Sequence, residues 1–275
     1  MTTHIRTERE GAVGIITIDR RQRMNSLDVE TARDFRKAGL AMAREREVRA
    51  VILRGEGGIF CSGADLKYIR GGGAEDDLGY LKPGTASGPG FGEVFKQILE
   101  YIHSTISEIR RAPKPFIAAV DGAAAAGGLG IALSCDLVLA SERASFEWAY
   151  FKTGLTGAES TTFFLPKLVG WRKAMELVLI GPKLGPHEAA EIGLINSVHA
   201  DVDAAARALA QRLAEGPTAA MGVAKALLNQ AAGMDRLDAH LDQELTNLAR
   251  IADGANFAEG IDSFFGKRPP RFGEA

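Results

Sequence analysis

Four short runs constrain this chain more than any other feature: GAVGIITID (11–19), AVILRG (50–55), PFIAAV (115–120) and DLVLAS (136–141). Each is rich in β-branched or apolar residues and bounded by charged or turn-forming ones, so each reads as a strand. AVILRG is apolar almost without a break, as expected of a strand buried on both faces. After the first run, Asp28 stands as an N-cap for a helix reaching to about Arg46, with Val29, Phe35, Leu40 and Met42 at apolar positions. Strands alternating with helices predict an α/β architecture with mainly parallel pairing.

The rhythm breaks twice. GGGAEDDLGYLKPGTASGPGFG (71–92) is glycine-rich and lacks periodic apolar residues, so it is expected to be a loop. From Asp201 onward the strands stop and alanine- and leucine-rich helices take over, interrupted at Gly216-Pro217. The expected division is therefore a core over 1–200 and a helical region over 201–275, whose apolar faces predict an oligomer.

The 275 residues are 46% hydrophobic with a formal net charge of −2, which gives no electrostatic footprint for nucleic acid or an anionic membrane surface. No apolar run approaches the roughly 18 residues of a membrane span. The opening MTTHIRTEREGAVG lacks the basic-then-apolar order of a signal peptide, so a cytoplasmic protein is expected. Cys61 and Cys135 sit among small and apolar residues, too few for a disulfide framework or metal site; both read as buried thiols, and no metal is expected.

Glycine-bearing turns lead into helix starts at two places, CSGADLKYI (61–69) and AGGLGIAL (126–133). The first amides of a helix have no internal partner and carry the positive end of its dipole. Glycine lets a ligand approach them closely. Two such amides converging on one oxygen would stabilise an oxyanion. Neither run has the spacing of a dinucleotide fingerprint or a Walker loop.

Taken in order, the pair resembles the signatures of the crotonase superfamily, the enoyl-CoA hydratases and isomerases. DRRQRMNSLD (19–28) is similar to its first CoA-contacting turn, FCSGADLK (60–67) to its first signature and KPFIAAVDGAAAAGGLGIALSCD (114–136) to its second. FKTGLTGAESTTFFLPKLVG (151–170) is similar to the third, and GPHEAAEIGLINSV (185–198) to the return to the core. The resemblance implies a crotonase fold of repeated ββα units, a helical C-terminal trimerisation region, and a homotrimer or dimer of trimers. It implies an acyl-CoA thioester as substrate, with coenzyme A entering only as part of it and no other cofactor. The amides of Ala64 and Gly127 would hold the thioester oxygen. Ser62, Asp65, Leu66, Lys67 and Gly128 would lie along the substrate, and Arg23 and Lys267 would contact its phosphates. Surface charge is the plainer reading of Arg23, Lys67 and Lys267.

The resemblance also marks what is missing. Hydratases carry one glutamate three residues beyond the oxyanion glycine and a second in the following loop; here those positions hold Gly130 and Tyr150. Neither glycine nor a phenol serves as a base near neutral pH. Glu159 remains, one residue after the position, Ala158, where related isomerases and a dehalogenase branch hold an acid. It either faces the thioester or caps its helix. His103 matches the histidine that 4-chlorobenzoyl-CoA dehalogenase uses as a base, and otherwise reads as an ordinary helix histidine. Glu147 and Trp148 are expected as acyl-pocket wall or core. The leading expectation is double-bond isomerisation with Glu159 as acid and base. The alternatives are hydrolysis or dehalogenation through Glu159 and His103, an atypical hydratase, and a CoA-binding scaffold.

Overall fold

The computed structural model describes residues 4–73 and 90–273. An antiparallel hairpin of β1 (Ile5–Glu10) and β2 (Val13–Ile18) opens the fold. Parallel to β2 lie β3 (Ala50–Gly55), β4 (Phe116–Val120), β6 (Leu137–Ser141) and β9 (Ser197–His199), completing a six-stranded sheet in the order β1-β2-β3-β4-β6-β9. Side chains alternate across a strand, and here both faces are buried. Ile16, Val51, Leu53, Phe116 and Ala118 enter one core, whereas Ile15, Ala50, Ile52, Ile117 and Ala119 enter another. That is the physical content of the unbroken apolar runs.

Helix α1 (Val29–Arg44) covers the first face together with α3 (Phe91–Arg111) and α4 (Gly127–Ser134). Asp28 caps α1, accepting the Thr31 N–H at 2.8 Å, as expected. The second face is closed by α8 (Val202–Glu215) through Val202, Ala206, Ala210 and Ala214, a stripe of small residues at i, i+4 spacing. The chain breaks at Gly216-Pro217 and continues as α9 (Thr218–Ala231), α10 (Leu237–Ala252) and α11 (Ala255–Gly266). Helix α10 packs along α3. No helix among the described residues is long and apolar enough to cross a membrane.

The second strands of successive units build a smaller sheet. Strand β4 leads to β5 (Ala123–Ala125) and then α4; β6 leads to β7 (Ser145–Glu147) and then, beyond a 3-10 turn (Ala149–Thr153), to α5 (Thr161–Leu168). With β8 (Lys183–Leu184), the order is β5-β7-β8. The segment after β3 joins them: Cys61 bridges to Ala124 and Ala64 to Leu27, both parallel. Repetition thus delivers the turns after Cys61 and after β5 to one rim, which positions the site.

The glycine-rich stretch 71–92 differs from its expected reading at its C-terminal end. Residues 74–89 lie outside the described residues, but α3 already begins at Phe91. Gly92 belongs to that helix because a Cβ there would stand 2.4 Å from the Ala249 carbonyl oxygen of α10. A glycine demanded by helix contact mimics a glycine of a loop.

Candidate active site

At the rim, the ladder decides which way each amide points. Leu27 donates to the Gly63 oxygen at 2.9 Å and accepts from the Asp65 amide at 2.8 Å. Alternation along a parallel ladder sends the intervening Ala64 N–H to the opposite side. Gly63, with φ +90°, lies against the start of α4, where a Cβ on it would be 2.9 Å from the Gly127 nitrogen. Gly127 opens α4 behind Ala126, a non-glycine residue at φ 47°. Among the described residues, neither the Ala64 nor the Gly127 amide donates to a protein acceptor. Ala64 and Ala126, the residue just ahead of Gly127, line a cavity of about 560 Å³; Gly127 itself is not part of its lining.

Ion pairs hold the first donor's turn and close packing holds the second's. Asp65 caps α2 (Leu66–Arg70), accepting the Lys67 and Tyr68 amides at 3.0 Å each. It also accepts from Arg20 Nη1 at 2.7 Å and Arg23 Nε at 3.1 Å. Burial acts to raise the Asp65 carboxyl, but Arg23, the Tyr68 amide and Arg20 together hold it below the usual carboxylate range. Across the rim, a Cβ on Gly128 would come 2.0 Å from the Cys61 carbonyl oxygen. Burial pushes the Cys61 thiol to about 12, and Cys135 likewise, so both remain thiols near neutral pH.

The missing carboxylate at Gly130 has a local explanation. A Cβ there would lie 2.0 Å from the Glu159 carbonyl oxygen and 2.8 Å from the Glu159 Cβ. The main chain of Glu159 occupies the space a side chain at 130 would need. The Glu159 carboxyl in turn reaches the start of α4: Oε1 is 2.7 Å from where a Cβ on Gly127 would sit. Glu159 and Ser160 both adopt left-handed backbone, φ 51° and 66°. Glu159 precedes α5 and does not cap it.

Glu159 is 2% exposed. Burial pushes its carboxyl up to about 8, with the Tyr150 hydroxyl pulling the other way and Glu244 adding to the rise. Tyr150 donates to Oε2 from a hydroxyl also 3.2 Å from the Ala158 oxygen. The Tyr150 phenol is itself raised well above its ordinary value by burial and by Glu159. The Glu159 amide donates to His103 Nε2 at 3.2 Å. Burial lowers that imidazole to about 4, so it stays neutral and can accept.

Of the residues singled out in the sequence, Arg23, Ser62, Ala64, Asp65, Leu66 and Lys67 line one side of the cavity, and Tyr150, Glu159 and Glu147 line the other. The remaining expectations are met differently. Gly128 is spent on packing against Cys61, and Asp65 is filled by two arginines and two amides. Trp148 packs against Tyr150 with its ring tilted by 54° at 5.2 Å between centroids, and does not line the cavity. Lys267 is an exposed residue closing α11, while Phe264 and Phe265 just before it line the cavity. His103 lies behind Glu159, engaged by its main chain, and does not line the cavity.

Sequence reasoning missed Arg20, Glu244 and the apolar wall formed by Phe95, Leu155 and Leu248. Arg20 sits four residues ahead of Met24 in a run of arginines, and only the fold distinguishes it. Glu244 is buried on α10 and accepts the Ser160 amide at 2.7 Å and the Thr162 amide at 3.1 Å. Its one signal was a histidine four residues earlier, His240, whose ring nitrogen is 3.6 Å from Glu244 Oε1.

Comparison with known proteins agrees with this architecture. A family profile described as enoyl-CoA hydratase/isomerase matches residues 8–87 and 92–275. The chain is 36% identical over 271 residues to a protein of Rhodobacter capsulatus named "Probable enoyl-CoA hydratase", covering 98% of this chain and 97% of that one. It is 30% identical to 4-chlorobenzoyl coenzyme A dehalogenase-2 of an Arthrobacter species, covering 96% and 91%. It is 32% identical to 1,2-epoxyphenylacetyl-CoA isomerase of Escherichia coli, covering 96% and 95%. A solved enoyl-CoA hydratase from Mycobacterium avium subsp. paratuberculosis superposes with a TM-score of 0.84 at 29% identity, covering 99% of each chain. These relatives carry names for different reactions, so their names do not choose among them. They agree on the fold and on CoA thioester chemistry: this chain is a crotonase-fold enzyme of the enoyl-CoA hydratase/isomerase family.

Proposed function

We propose that this protein moves a carbon–carbon double bond along an enoyl-CoA thioester, with Glu159 as its one acid–base group. The Ala64 and Gly127 amides hold the thioester oxygen and take up the negative charge that develops when a proton is lost from the acyl chain. Glu159 removes that proton and returns it at another carbon through a dienolate. One base suffices, because the group that accepts the proton also delivers it. No further cofactor enters the scheme.

The observation that carries this reading is the Glu159 carboxyl, held against Gly127 where Gly130 leaves room for it, while the other two carboxyls lining the cavity, Asp65 and Glu147, are ion-paired to arginines and to Lys152. The Glu159 value of about 8 suits a group that must both take and give a proton near neutral pH. Conventional hydration asks for a carboxylate pair around a water, and Tyr150 supplies a phenol bonded to Glu159 instead. Phe95, Leu155, Leu248, Phe264 and Phe265 give the acyl group an apolar wall. Arg23 and Lys67 line the cavity beside Ser62 and Ala64, which supports assigning them to the CoA phosphates.

Similarity to the dehalogenase favours a second reading, hydrolysis or dehalogenation of an aryl-CoA through Glu159 and His103. The engaged Nε2 of His103 weighs against it. Incubation with trans-3-enoyl-CoA, crotonyl-CoA and an aryl-CoA separates the cases. Turnover of the first, reduced about 10²- to 10⁴-fold in Glu159→Gln, is expected. Unchanged turnover in that variant, or release of free CoA or halide sensitive to His103→Ala, overturns the isomerase reading. Binding of CoA with no conversion of any substrate would mark a scaffold.

We also propose that the chain works as a homotrimer or dimer of trimers. Trp171, Leu179 and Ile180 around α6 (Trp171–Leu179), and Val223, Leu227 and Leu228 on α9, are exposed large apolar residues. Light scattering giving a monomer mass would overturn this.

A further inference from the structure

We propose that Glu244, on helix α10, is a positioning residue for Glu159: by accepting the Ser160 N–H it fixes the left-handed Glu159–Ser160 turn that lays the Glu159 main chain over Gly130 and its carboxyl against Gly127. The inference rests on the reading of Glu159 as the acid–base group and adds what holds it in place.

Two successive non-glycine residues at positive φ do not persist unless their surroundings over-determine them. Ser160 is the N-cap residue of α5, yet its left-handed backbone departs from the extended form of ordinary N-caps and its side chain caps nothing. Glu244 supplies the cap from another helix. Oε2 takes the Ser160 amide, and Oε1 takes both the Thr162 amide and the Thr162 hydroxyl. On the other side of the turn, His103 of α3 takes the Glu159 amide. The turn is thus gripped at consecutive amides by two helices that pack on each other, α3 and α10.

The groups facing this turn are few. His240, on the same helix as Glu244, lies 3.6 Å from its Oε1 and bonds the Thr162 hydroxyl at 2.8 Å. His103 Nε2 is 4.0 Å from Glu244 Oε2. Tyr150 meets Glu159 from the 3-10 turn, and the Cys61 thiol faces it from the segment after β3. The charge of Glu244 acts to raise the Glu159 carboxyl. Glu244 therefore does two separable things: its oxygens hold geometry, and its charge adds to the rise that burial imposes on Glu159.

The test uses the full-length protein with Glu244→Gln and Glu244→Ala, thermal melts verifying that each folds. With trans-3-enoyl-CoA, Glu244→Ala is expected to lower kcat about 10²-fold with KM within about threefold, because misplacing a base costs rate more than binding. Glu244→Gln keeps an acceptor for the Ser160 amide; its kcat should stay within about tenfold. Its acid limb, where activity rises with pH as Glu159 ionises, should move toward acid. A merely structural cap would leave that limb where it is. An unmoved limb in Glu244→Gln, or kcat within about twofold of wild type in a folded Glu244→Ala, overturns the proposal. Infrared titration of the Glu159 carbonyl stretch, identified by its loss in Glu159→Gln, reads the same shift without turnover. If trans-3-enoyl-CoA is not converted, the isomerase reading fails, and the infrared titration still decides the role of Glu244.

Discussion

The two sides of the rim are built on opposite principles. On the donor side, the Ala64 and Gly127 amides belong to the main chain, and what fixes them is the ladder through Leu27, the glycine contacts at Gly63 and Gly128, and the Asp65 carboxylate held ionised by Arg20 and Arg23. On the acid–base side, Glu159 is a side chain on strained backbone, held by Tyr150, His103 and Glu244 from three other elements. The first takes its donors from the main chain, and its one buried carboxylate, Asp65, is held below the usual carboxylate range and so keeps its charge near neutral pH. The second rests on buried ionisable groups whose charge states depend on pH. A rim of this kind keeps its electrostatic stabiliser constant while the proton-handling group varies.

The sharpest way to break that contrast is to follow stability with pH. A Glu159 carboxyl held near 8 keeps its proton where the unfolded chain, at about 4.3, has lost it. Below pH 4.3 both states are protonated and nothing is lost; as pH rises toward 8, the unfolded state is favoured progressively. The loss should be on the order of 5 kcal/mol. Chemical denaturation of wild type against Glu159→Gln across pH 4–9 checks it, and parallel curves would refute it.

His103 predicts the opposite slope. Its folded value of about 4 lies below the ordinary 6.5, so the unfolded chain binds the proton first as pH falls. Stability present above pH 6.5 should decline by about 3 kcal/mol on acidification through pH 4. In His103→Gln, which can still accept the Glu159 amide, that acid-side decline should be missing from the denaturation midpoints.

The donor side should answer to volume instead. Gly128→Ala puts a methyl group 2.0 Å from the Cys61 oxygen, and overpacking of this kind costs about 1–3 kcal/mol. The cost should be equal at pH 5 and pH 8, and a pH-dependent penalty would dissolve the distinction between the two sides. The smallest effect is a control remote from both: Asp201→Ala removes the α8 cap and should cost about 1 kcal/mol at pH 5 and pH 8 alike, read from the thermal midpoint.

Much of the frame was legible because its signals are local. AVILRG is β3 residue for residue, and Asp28 announced α1 in the expected place. Gly130 was legible as an absence but not as a reason, since the Glu159 main chain that fills the space arrives from another element. Glu244 lies 85 residues beyond Glu159, on a helix whose pattern spoke only of packing, and no spacing rule connects the two. His103 was found by resemblance, yet its ring meets a main-chain amide, a contact that motifs do not encode. What escaped the sequence is the set of contacts made between elements, and those hold the base.

The filled space at Gly130 carries a consequence for anyone redesigning this enzyme. Residues 130 and 159 are alternative tenants of one volume, so grafting a hydratase glutamate at 130 evicts the acid already there. A change of chemistry at this rim has to be made as a coupled exchange, one residue vacating as the other moves in.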